Sequence, residues 1–467
     1  MKRRALLQGV SLLPLWPHGV ASAQTMAYDP ADLRHAEALR DAALRDTEAL
    51  ALVTQLATGI GARPAGSEAD ARAVRWAQDA ARRLGLQAVR AEPVPLRIWQ
   101  RGPGSAQLVA PVQQPLVMAA LGNSVPTPEA GLEAEVAWYP DLAALMADTS
   151  DRAKGRIVFL DQKTERTRDG SGYGRAVGAR INGPVEAARR GAVALALRSI
   201  GTDRERIAHT GATRYDLRVP RIPAFAVSVP DAERIAQLHA EGATLRLRVA
   251  LQARSDVEAL THNVIAEVPG SDLAAEIVLI GAHLDSWDLG QGAVDDGAGV
   301  AIVTAAAALI ARSRRVPRRT VRVVLFGNEE NGFDGARAYG DRYSSVPHQL
   351  VGESDFGAGR VWQLASRVQP AALPLVAQLA TVLAPMGVAA GTNDGSPGPD
   401  AALLMRRHRW PALQLGQDGT RYFDVHHTEH DRIDQIEPDA LAQNVACWAA
   451  TAWLAAQAPL PFGPPTL

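Results

Sequence analysis

The sequence lacks the features that usually place a protein in a special class. Its 467 residues contain a single cysteine, Cys447, so no disulfide can form within the chain. The net charge is only −1, with a sequence pI of about 6.9, which gives no electrostatic reason to expect nucleic acid or an anionic membrane as a partner. We also find no internal repeat and no low-complexity tract. These absences leave an ordinary globular protein, long enough for two domains.

The first residues have the pattern of an export signal. The basic start MKRR is followed by an apolar run and then by ASAQ, a cleavage site of the A-x-A type. We expect cleavage after Ala23, so that residues 1–23 form a signal peptide. Arg3 and Arg4 form a twin-arginine pair, which favours twin-arginine export to the periplasm or the medium. No later segment has the ~20 uninterrupted apolar residues of a membrane span, so we expect no membrane contact after cleavage.

The rest of the chain divides into three stretches with different patterns of apolar residues. Residues 24–95 carry apolar positions mostly at helical spacing. Residues 96–258 contain short strand-like runs between turns and two short helices, which predicts a separate, small, β-rich domain. Residues 259–467 repeat the order strand, loop, helix, which predicts a central α/β sheet with helices on both faces.

Apolar runs mark the expected elements of the last stretch. EIVLIG and TVRVVLF are typical of buried strands, and GVAIVTAAAALIARS is typical of a buried helix. The predicted strands are 263–268, 276–281, 320–326 and 410–416, and the predicted helices are 299–313 and 437–457.

Acidic and histidine side chains follow these strands. Because ligands bind at the carboxyl ends of the strands in open α/β sheets, we expect these side chains to share one edge of the sheet. They are His283, Asp285, Asp295, Glu329, Glu330, Glu353, Asp355, His426 and His427.

So many carboxylates cannot gather in a half-buried cleft without compensation. Unpaired charges there would cost several kcal/mol each, so the groups must hold protons, pair with cations or bind metal. Arginine and lysine are scarce in these loops, which makes a divalent cation the simplest partner. Histidine nitrogens with carboxylate oxygens suit Zn²⁺, with Co²⁺ or Mn²⁺ as alternatives. One carboxylate can bridge two ions ~3.5–4 Å apart.

Four segments, taken in order, resemble the co-catalytic zinc exopeptidases, the family that includes bacterial leucyl aminopeptidase and glutamate carboxypeptidase II. The segments are GAHLDSWDLGQGAVDDGAG, FGNEENGFDGARAY, ESD and YFDVHHTEHDRID. The carboxypeptidase Q branch is the most similar. The resemblance implies the zinc exopeptidase fold over residues 30–95 and 259–467, with a protease-associated domain inserted at 96–258.

The resemblance also implies which residues bind metal. His283 and Asp355 would hold one zinc ion, and Glu330 and His427 would hold a second. Asp295 would bridge both ions.

Three further residues take roles from the same resemblance. Glu329 would be the general base that takes a proton from water. Asp285 would lie behind His283 and orient its ring. His426 would donate a hydrogen bond to the developing oxyanion, with Tyr422 as the next candidate. The alternative for His426 is a side chain that faces away and only packs.

Some acidic residues of the motifs have competing assignments. Asp296 is expected to cap the following helix while Asp295 binds metal, since aspartate is favoured at helix starts. The resemblance also implies a cis peptide bond between these two residues. Glu353 competes with Asp355 as a ligand, and the motif favours Asp355.

Two questions remain around the substrate pocket. The H-T-x-x-D pattern selects His427 over His430 as the ligand. The segment GTNDGSPGPDAALL departs from the pattern of the carboxypeptidase Q branch. It leaves open whether Asp394 or Asp400 lines the pocket. His209, in the middle stretch, is a weaker candidate for substrate contact.

The sequence therefore predicts an exported two-zinc metallo-exopeptidase that hydrolyses small peptides, of the aminopeptidase or dipeptidase type. Whether it recognises the amino or the carboxyl end of a peptide stays open. Two alternatives are a one-metal enzyme of the glutaminyl-cyclase kind and a receptor-like binding protein without activity. The presence of all five ligands argues against both. The resemblance is also compatible with a homodimer.

Overall fold

A computed structural model describes residues 27–465, which form two mixed β-sheets of eight strands each, flanked by helices. The predicted signal peptide, residues 1–23, lies outside the described residues.

The α-helices of the described residues are α1 (Pro30–Ala43), α2 (Glu48–Gly59), α3 (Glu68–Arg83), α4 (Leu142–Ala147), α5 (Ser171–Ala176), α6 (Gly178–Arg189), α7 (Val229–Ala240), α8 (Ala298–Arg312), α9 (Asp334–Tyr343), α10 (Leu373–Leu383), α11 (Pro399–His408), α12 (Tyr422–Val425) and α13 (Pro438–Gln457). A π turn, Ala293–Gly297, precedes α8 directly. Short 3₁₀ turns occur at Asp151–Ala153, Pro370–Ala372, Ala384–Met386 and Ile433–Gln435.

The strands of the described residues are β1 (Gln87–Gln100), β2 (Gly104–Ala110), β3 (Gln114–Leu116), β4 (Met118–Ala120), β5 (Leu132–Tyr139), β6 (Ile157–Leu160), β7 (Ala194–Arg198), β8 (Ala224–Val227), β9 (Arg246–Leu251), β10 (Arg254–Val268), β11 (Leu273–His283), β12 (Arg319–Phe326), β13 (His348–Glu353), β14 (Val361–Arg367), β15 (Ala389–Ala390) and β16 (Ala412–Gln417).

The first sheet has the order β1-β10-β12-β11-β13-β16-β14-β15. Its four middle strands, β12, β11, β13 and β16, are parallel to one another, and antiparallel pairs flank them. The larger apolar core lies on one face, against helices that include α8 and α13, and a smaller core lies on the other face under α9 and α11. Burial on both faces explains why these strands are almost continuously apolar.

The second sheet is built from the chain between β1 and β10, residues 101–253, which we call the insert. Its order is β3-β2-β9-β5-β6-β7-β8-β4. Strands β6, β7 and β8 are parallel, and apolar clusters lie on both faces of the sheet. The insert therefore has its own hydrophobic core and packs against the first sheet's loops.

The predicted fold class is confirmed, since a mixed central sheet carries helices on both faces and a second β-rich unit accompanies it. The domain boundaries at residues 95 and 258, and the assignment of the insert as a protease-associated domain, stay predictions.

The strand β1 was not predicted. It carries Pro93 and Pro95, which are poor strand residues, but it is an edge strand that pairs only with β10.

One stretch of the described chain, Ala293–Arg312, is long and apolar enough to cross a membrane, but it is almost wholly buried inside the protein. It packs against β11 and against helices α2 and α13. Its composition is that of a core helix covered on all sides.

Candidate metal centre and active site

Four parallel strands position the candidate site. β11 ends at His283, β12 at Phe326, β13 at Glu353 and β16 at Gln417. Because the strands run in the same direction, their carboxyl ends meet at one edge of the sheet. The loops that leave this edge carry the acidic and histidine residues identified in the sequence.

Asp295 lies at the centre of the cluster. Its Oδ1 is 3.1 Å from Nε2 of His283, and its Oδ2 is 3.2 Å from Nε2 of His427. Glu330 Oε2 lies 3.0 Å from the same nitrogen of His427, and Asp355 Oδ1 lies 3.7 Å from Nε2 of His283. The five predicted ligands thus lie together, in two groups that share the Asp295 carboxylate.

The chemistry of this cluster fits divalent cations. Burial raises the pKa of Glu330, and it raises that of Asp355 well above the ordinary value. Burial alone would lower the pKa of His283, but the carboxylates of Asp355, Asp285 and Asp295 together outweigh burial and raise that pKa well above the usual range. Without a cation the cluster therefore holds protons, which metal binding displaces. Glu330 Oε1 is also buried with no hydrogen-bond partner.

The second ring nitrogen of His283 faces Asp285. Nδ1 lies 3.0 Å from the backbone oxygen of Asp285 and 3.7 Å from its carboxylate Oδ1. That carboxylate accepts a hydrogen bond of 3.1 Å from the backbone N–H of Glu329. Asp285 therefore lies behind His283, with its backbone oxygen as the nearer contact. Its carboxylate fixes the loop that carries Glu329 and Glu330.

The insert supplies the corresponding contact for His427. Nδ1 of His427 lies 3.2 Å from the backbone oxygen of Thr210, and the N–H of Thr210 donates to the backbone oxygen of His427 at 3.0 Å. A proton on Nδ1 leaves Nε2 free to bind metal, the arrangement that metal-binding histidines favour. Thr210 was missed in the sequence, because a backbone oxygen has no residue signature.

Glu329 lies next to this cluster and lines the cavity in front of it. Burial raises the pKa of its carboxyl group well above the ordinary value, against the lowering effect of His283. A carboxylate with a raised pKa, placed at a cavity wall, is suited to accept a proton and release it again during catalysis.

His426 also lines the cavity and does not face away from it. Its ring stacks on that of His427 with 3.5 Å between centroids, and its Nε2 lies 3.6 Å from Asp295 Oδ2. Burial holds its pKa well below the ordinary value, so the imidazole is neutral and carries one N–H. Tyr422, the second candidate donor, lines the same cavity.

The peptide bond between Asp295 and Asp296 is cis, as predicted. Both carboxylate oxygens of Asp296 accept backbone hydrogen bonds. Its Oδ1 accepts a hydrogen bond of 3.1 Å from Gly299 N–H in the first turn of α8, although Gly297 is the cap residue of that helix, and its Oδ2 accepts one of 3.0 Å from His283 N–H. Asp431 accepts from the N–H groups of Val294 and Asp295, at 2.6 and 3.3 Å.

The competing acidic residues lie elsewhere. Glu353 is buried and accepts a hydrogen bond of 3.0 Å from Ala401 N–H on α11, so its carboxylate turns toward that helix. Asp400 is completely buried beside Glu353, and Asp394 is exposed. Among the residues that the structure describes, neither Asp394 nor Asp400 lines the cavity.

The remaining histidine candidates each contact a nearby carboxylate. His430 Nδ1 lies 3.0 Å from Glu205 Oε2 near the surface. His209 is buried, with its Nε2 at 2.5 Å from Asp203 Oδ2. Neither belongs to the described lining of the cavity, which leaves His427 as the ligand at this loop.

Arg63 is a site residue that the sequence did not reveal. Its side chain is completely buried and donates to the backbone oxygens of Leu284, Gln291 and Gly292 at 2.6, 3.0 and 2.8 Å. These bonds fix the loop between β11 and Asp295 and place a cation under the acidic cluster. In the sequence Arg63 stands in GARPAGS, which only indicates the end of a helix.

A cavity of about 740 Å³ opens in front of the cluster. The insert forms one wall and the loops of the first sheet form the other. Residues of the insert at this wall include Asn123, Tyr173, Arg180 and Arg214. The volume is in the range of sites that hold small ligands, ~300–1,000 Å³.

Comparisons with known proteins agree on one family. A sequence profile of peptidase family M28 matches residues 263–452. Carboxypeptidase Q of Bos taurus is 32% identical over 414 residues, which cover 88% of this chain and 85% of the relative.

Solved structures give the same result. A Peptidase M28 precursor from Shewanella amazonensis superposes with a TM-score of 0.91 at 44% identity, over 94% of this chain and 99% of that one. The zinc aminopeptidase BSAP from Bacillus subtilis shares the fold, with a TM-score of 0.63 at 19% identity over 90% and 97% of the two chains.

Proposed function

Because this chain belongs to peptidase family M28 and is related to carboxypeptidase Q over most of its length, we propose that it is a two-zinc metallo-exopeptidase that hydrolyses small peptides. The observation that carries the proposal is the position of Asp295, whose two carboxylate oxygens face His283 and His427 from either side. Asp355 and Glu330 complete the two groups.

Several residues of the chain have separate roles in the proposed reaction. When bound, the two ions polarise the scissile carbonyl and lower the pKa of water. Glu329 takes a proton from the attacking water and delivers it to the leaving amine. The N–H of His426 donates to the carbonyl oxygen as negative charge develops on it. Asp285 and Thr210 hold the two histidines in orientation through their backbone oxygens.

The two alternative functions would require different residues at this site. A one-metal enzyme of the glutaminyl-cyclase kind needs only one of the two groups around Asp295. A receptor-like protein needs neither metal nor a proton-transferring glutamate. The presence of both groups, together with Glu329 at the cavity wall, favours the two-metal hydrolase.

We expect two zinc ions per chain by elemental analysis of the purified protein. Removal of the metal with a chelator should abolish hydrolysis of unblocked dipeptides, and Zn²⁺ should restore it. His427→Ala should lose one of the two ions, because it removes one nitrogen ligand. His430→Ala, three positions later, should keep both. A fully active protein with one tightly bound metal, unaffected by further Zn²⁺, would favour the one-metal rival.

We also propose that the chain is exported, on the basis of the leader sequence alone. Expressed in a bacterial host with a twin-arginine system, the mature protein should appear in the periplasm and begin at Gln24. Replacing Arg3 and Arg4 together by lysine should retain the longer precursor in the cytoplasm. Secretion of this double variant at the normal level would exclude the twin-arginine route.

We also propose that the protein forms a homodimer, which sedimentation analysis would test.

A further inference from the structure

Asp431 is a buried carboxylate that binds the backbone of the predicted bridging ligand. It is the last residue of the H-T-x-x-D pattern that starts at His427, and only 5% of it is exposed. Its Oδ1 accepts a hydrogen bond of 2.6 Å from the N–H of Val294, and its Oδ2 accepts one of 3.3 Å from the N–H of Asp295. Both oxygens of one carboxylate therefore hold two consecutive peptide N–H groups.

These two hydrogen bonds fix the main chain from which the bridging carboxylate extends. Only two rotatable bonds separate the backbone of an aspartate from its carboxylate oxygens, so the Asp295 carboxylate can move little once its N–H is held. The distances that it has to meet are narrow. Its Oδ1 lies 3.1 Å from Nε2 of His283, and its Oδ2 lies 3.2 Å from Nε2 of His427. The position of the bridge between these two rings thus depends on the acceptor behind it.

The loop that carries Asp431 also carries a predicted metal ligand. We call residues 426–433 the histidine loop and residues 284–296 the bridging loop. The N–H of Gln291 donates to the backbone oxygen of Asp431 at 2.7 Å, and the N–H of Ile433 donates to Oε1 of Gln291 at 3.0 Å. The two loops are therefore joined by backbone contacts as well as by the Asp431 carboxylate.

The histidine loop is itself held in one conformation. The N–H of Asp431 donates to the backbone oxygen of Thr428 at 3.3 Å, and the Thr428 hydroxyl donates to the backbone oxygen of Val425 at 2.7 Å. His427 has a φ of +61°, in the left-handed region that residues other than glycine rarely adopt. Such a conformation persists where the surrounding structure enforces it. A shift of Asp431 would therefore disturb both the bridge and the histidine.

We propose that Asp431 is a positioning residue that couples the two metal ions, because it holds the bridging carboxylate and lies in the loop that carries His427. This inference rests on the proposed two-zinc function. A bridging carboxylate that is displaced weakens its bonds to both ions at once. Loss of Asp431 should therefore lower the affinity for both ions, whereas loss of His427 removes a ligand of only one.

The first test uses Asp431→Asn, which keeps the size of the side chain and replaces one acceptor oxygen by an NH₂ group. The amide oxygen can accept from one of the two N–H groups, while the NH₂ group faces the other donor. We expect both zinc ions to bind about 10- to 100-fold more weakly, the usual effect of changing a residue that supports a ligand. Competition of the zinc-loaded protein with a chromophoric chelator measures both affinities.

Asp434→Asn is the matched control, because it changes a carboxylate only three positions further along the chain. Its side chain is 62% exposed and lies 3.8 Å from Arg432. This variant should release both ions as the wild type does. Thermal unfolding of the zinc-loaded variants provides the second comparison. A purely structural role of Asp431 would lower the unfolding temperature of Asp431→Asn and leave its two zinc affinities unchanged.

Turnover separates positioning from catalysis. At limiting Zn²⁺, Asp431→Asn should be less active than the wild type, and saturating Zn²⁺ should restore most of the kcat, because all five ligands and Glu329 are still present. KM for an unblocked dipeptide should then equal that of the wild type, since Asp431 is not among the described residues that line the cavity. A loss of kcat that persists at saturating Zn²⁺ would contradict a role through metal affinity.

Hydrogen exchange provides a test that needs no variant. In the zinc-loaded wild type the amides of Val294 and Asp295 should exchange slowly, because both are bound to Asp431. Fast exchange at both positions would show that the carboxylate does not hold them, and the positioning role would be wrong.

The affinities decide the remaining alternatives. If Asp431→Asn keeps the wild-type affinity for both ions, the positioning role is wrong while the peptidase function stands. If it loses one ion and holds the other as tightly as the wild type, the coupling through Asp295 is wrong. If the wild type is fully active with a single ion, the proposed two-zinc function itself fails.

Discussion

Replacing Glu329 by glutamine is expected to lower kcat by about 10²- to 10⁴-fold, the range typical of lost general acid–base catalysis. Glutamine has nearly the same shape as glutamate, so the loop and the cavity wall should remain unchanged. The amide cannot accept the proton of the attacking water or return one to the leaving amine. Because Glu329 is not among the residues grouped around Asp295, the variant should still contain two zinc ions.

The adjacent glutamate provides the contrast. Glu330→Gln replaces the carboxylate that lies 3.0 Å from His427, so it should weaken one metal site and lose activity for that reason. Added Zn²⁺ should recover part of the activity of Glu330→Gln and none of that of Glu329→Gln. Metal loss from Glu329→Gln with retention in Glu330→Gln would reverse the two roles.

Replacing His426 by alanine is expected to lower kcat by about 10²- to 10³-fold, which is the usual cost of one oxyanion donor. The physical reason is the neutral ring at the cavity wall, since burial keeps its pKa low and leaves one N–H to donate. Metal content and KM should change little, because the donation strengthens only as charge develops on the carbonyl oxygen.

His430→Ala is the matched control for this variant, because it removes a nearby imidazole that pairs with Glu205 near the surface. Its turnover should stay close to that of the wild type. A His426→Ala enzyme within about twofold of the wild-type kcat would move the role to another donor, and Tyr422→Phe would then be the variant to measure. A drop in metal content would instead assign His426 a structural role beside His427.

The sequence predicted four of the eight strands of the first sheet, β10, β11, β12 and β16, because their apolar pattern is local. Continuous apolar runs predicted β11, β12 and the buried helix α8 to within a few residues. The end of each run also marked the site, since parallel strands bring their carboxyl ends to one edge. The strand β1 was missed because its two prolines contradict a strand pattern, and only its place at a sheet edge makes them acceptable.

The parts of the site that could not be predicted depend on contacts between distant segments. The backbone oxygen of Thr210 lies behind a ligand 217 positions later, and Arg63 reaches carbonyls more than 220 positions away. Such contacts leave no spacing or periodicity in the chain. The acidic loops themselves do contain little arginine. However, Arg63 and Arg180 reach the site from other parts of the fold.

The hydrogen bond from His427 to Thr210 has a consequence for any attempt to shorten or transplant this enzyme. The profile-matched segment, residues 263–452, contains every predicted metal ligand and so looks like a self-sufficient module. Two of its supports lie outside that segment, at Arg63 and Thr210. A minimal enzyme cut at the profile boundaries would keep the ligands and lose the parts that orient one histidine and hold the metal loop. The smallest transferable unit therefore extends back to the turn that carries Arg63 and includes the insert.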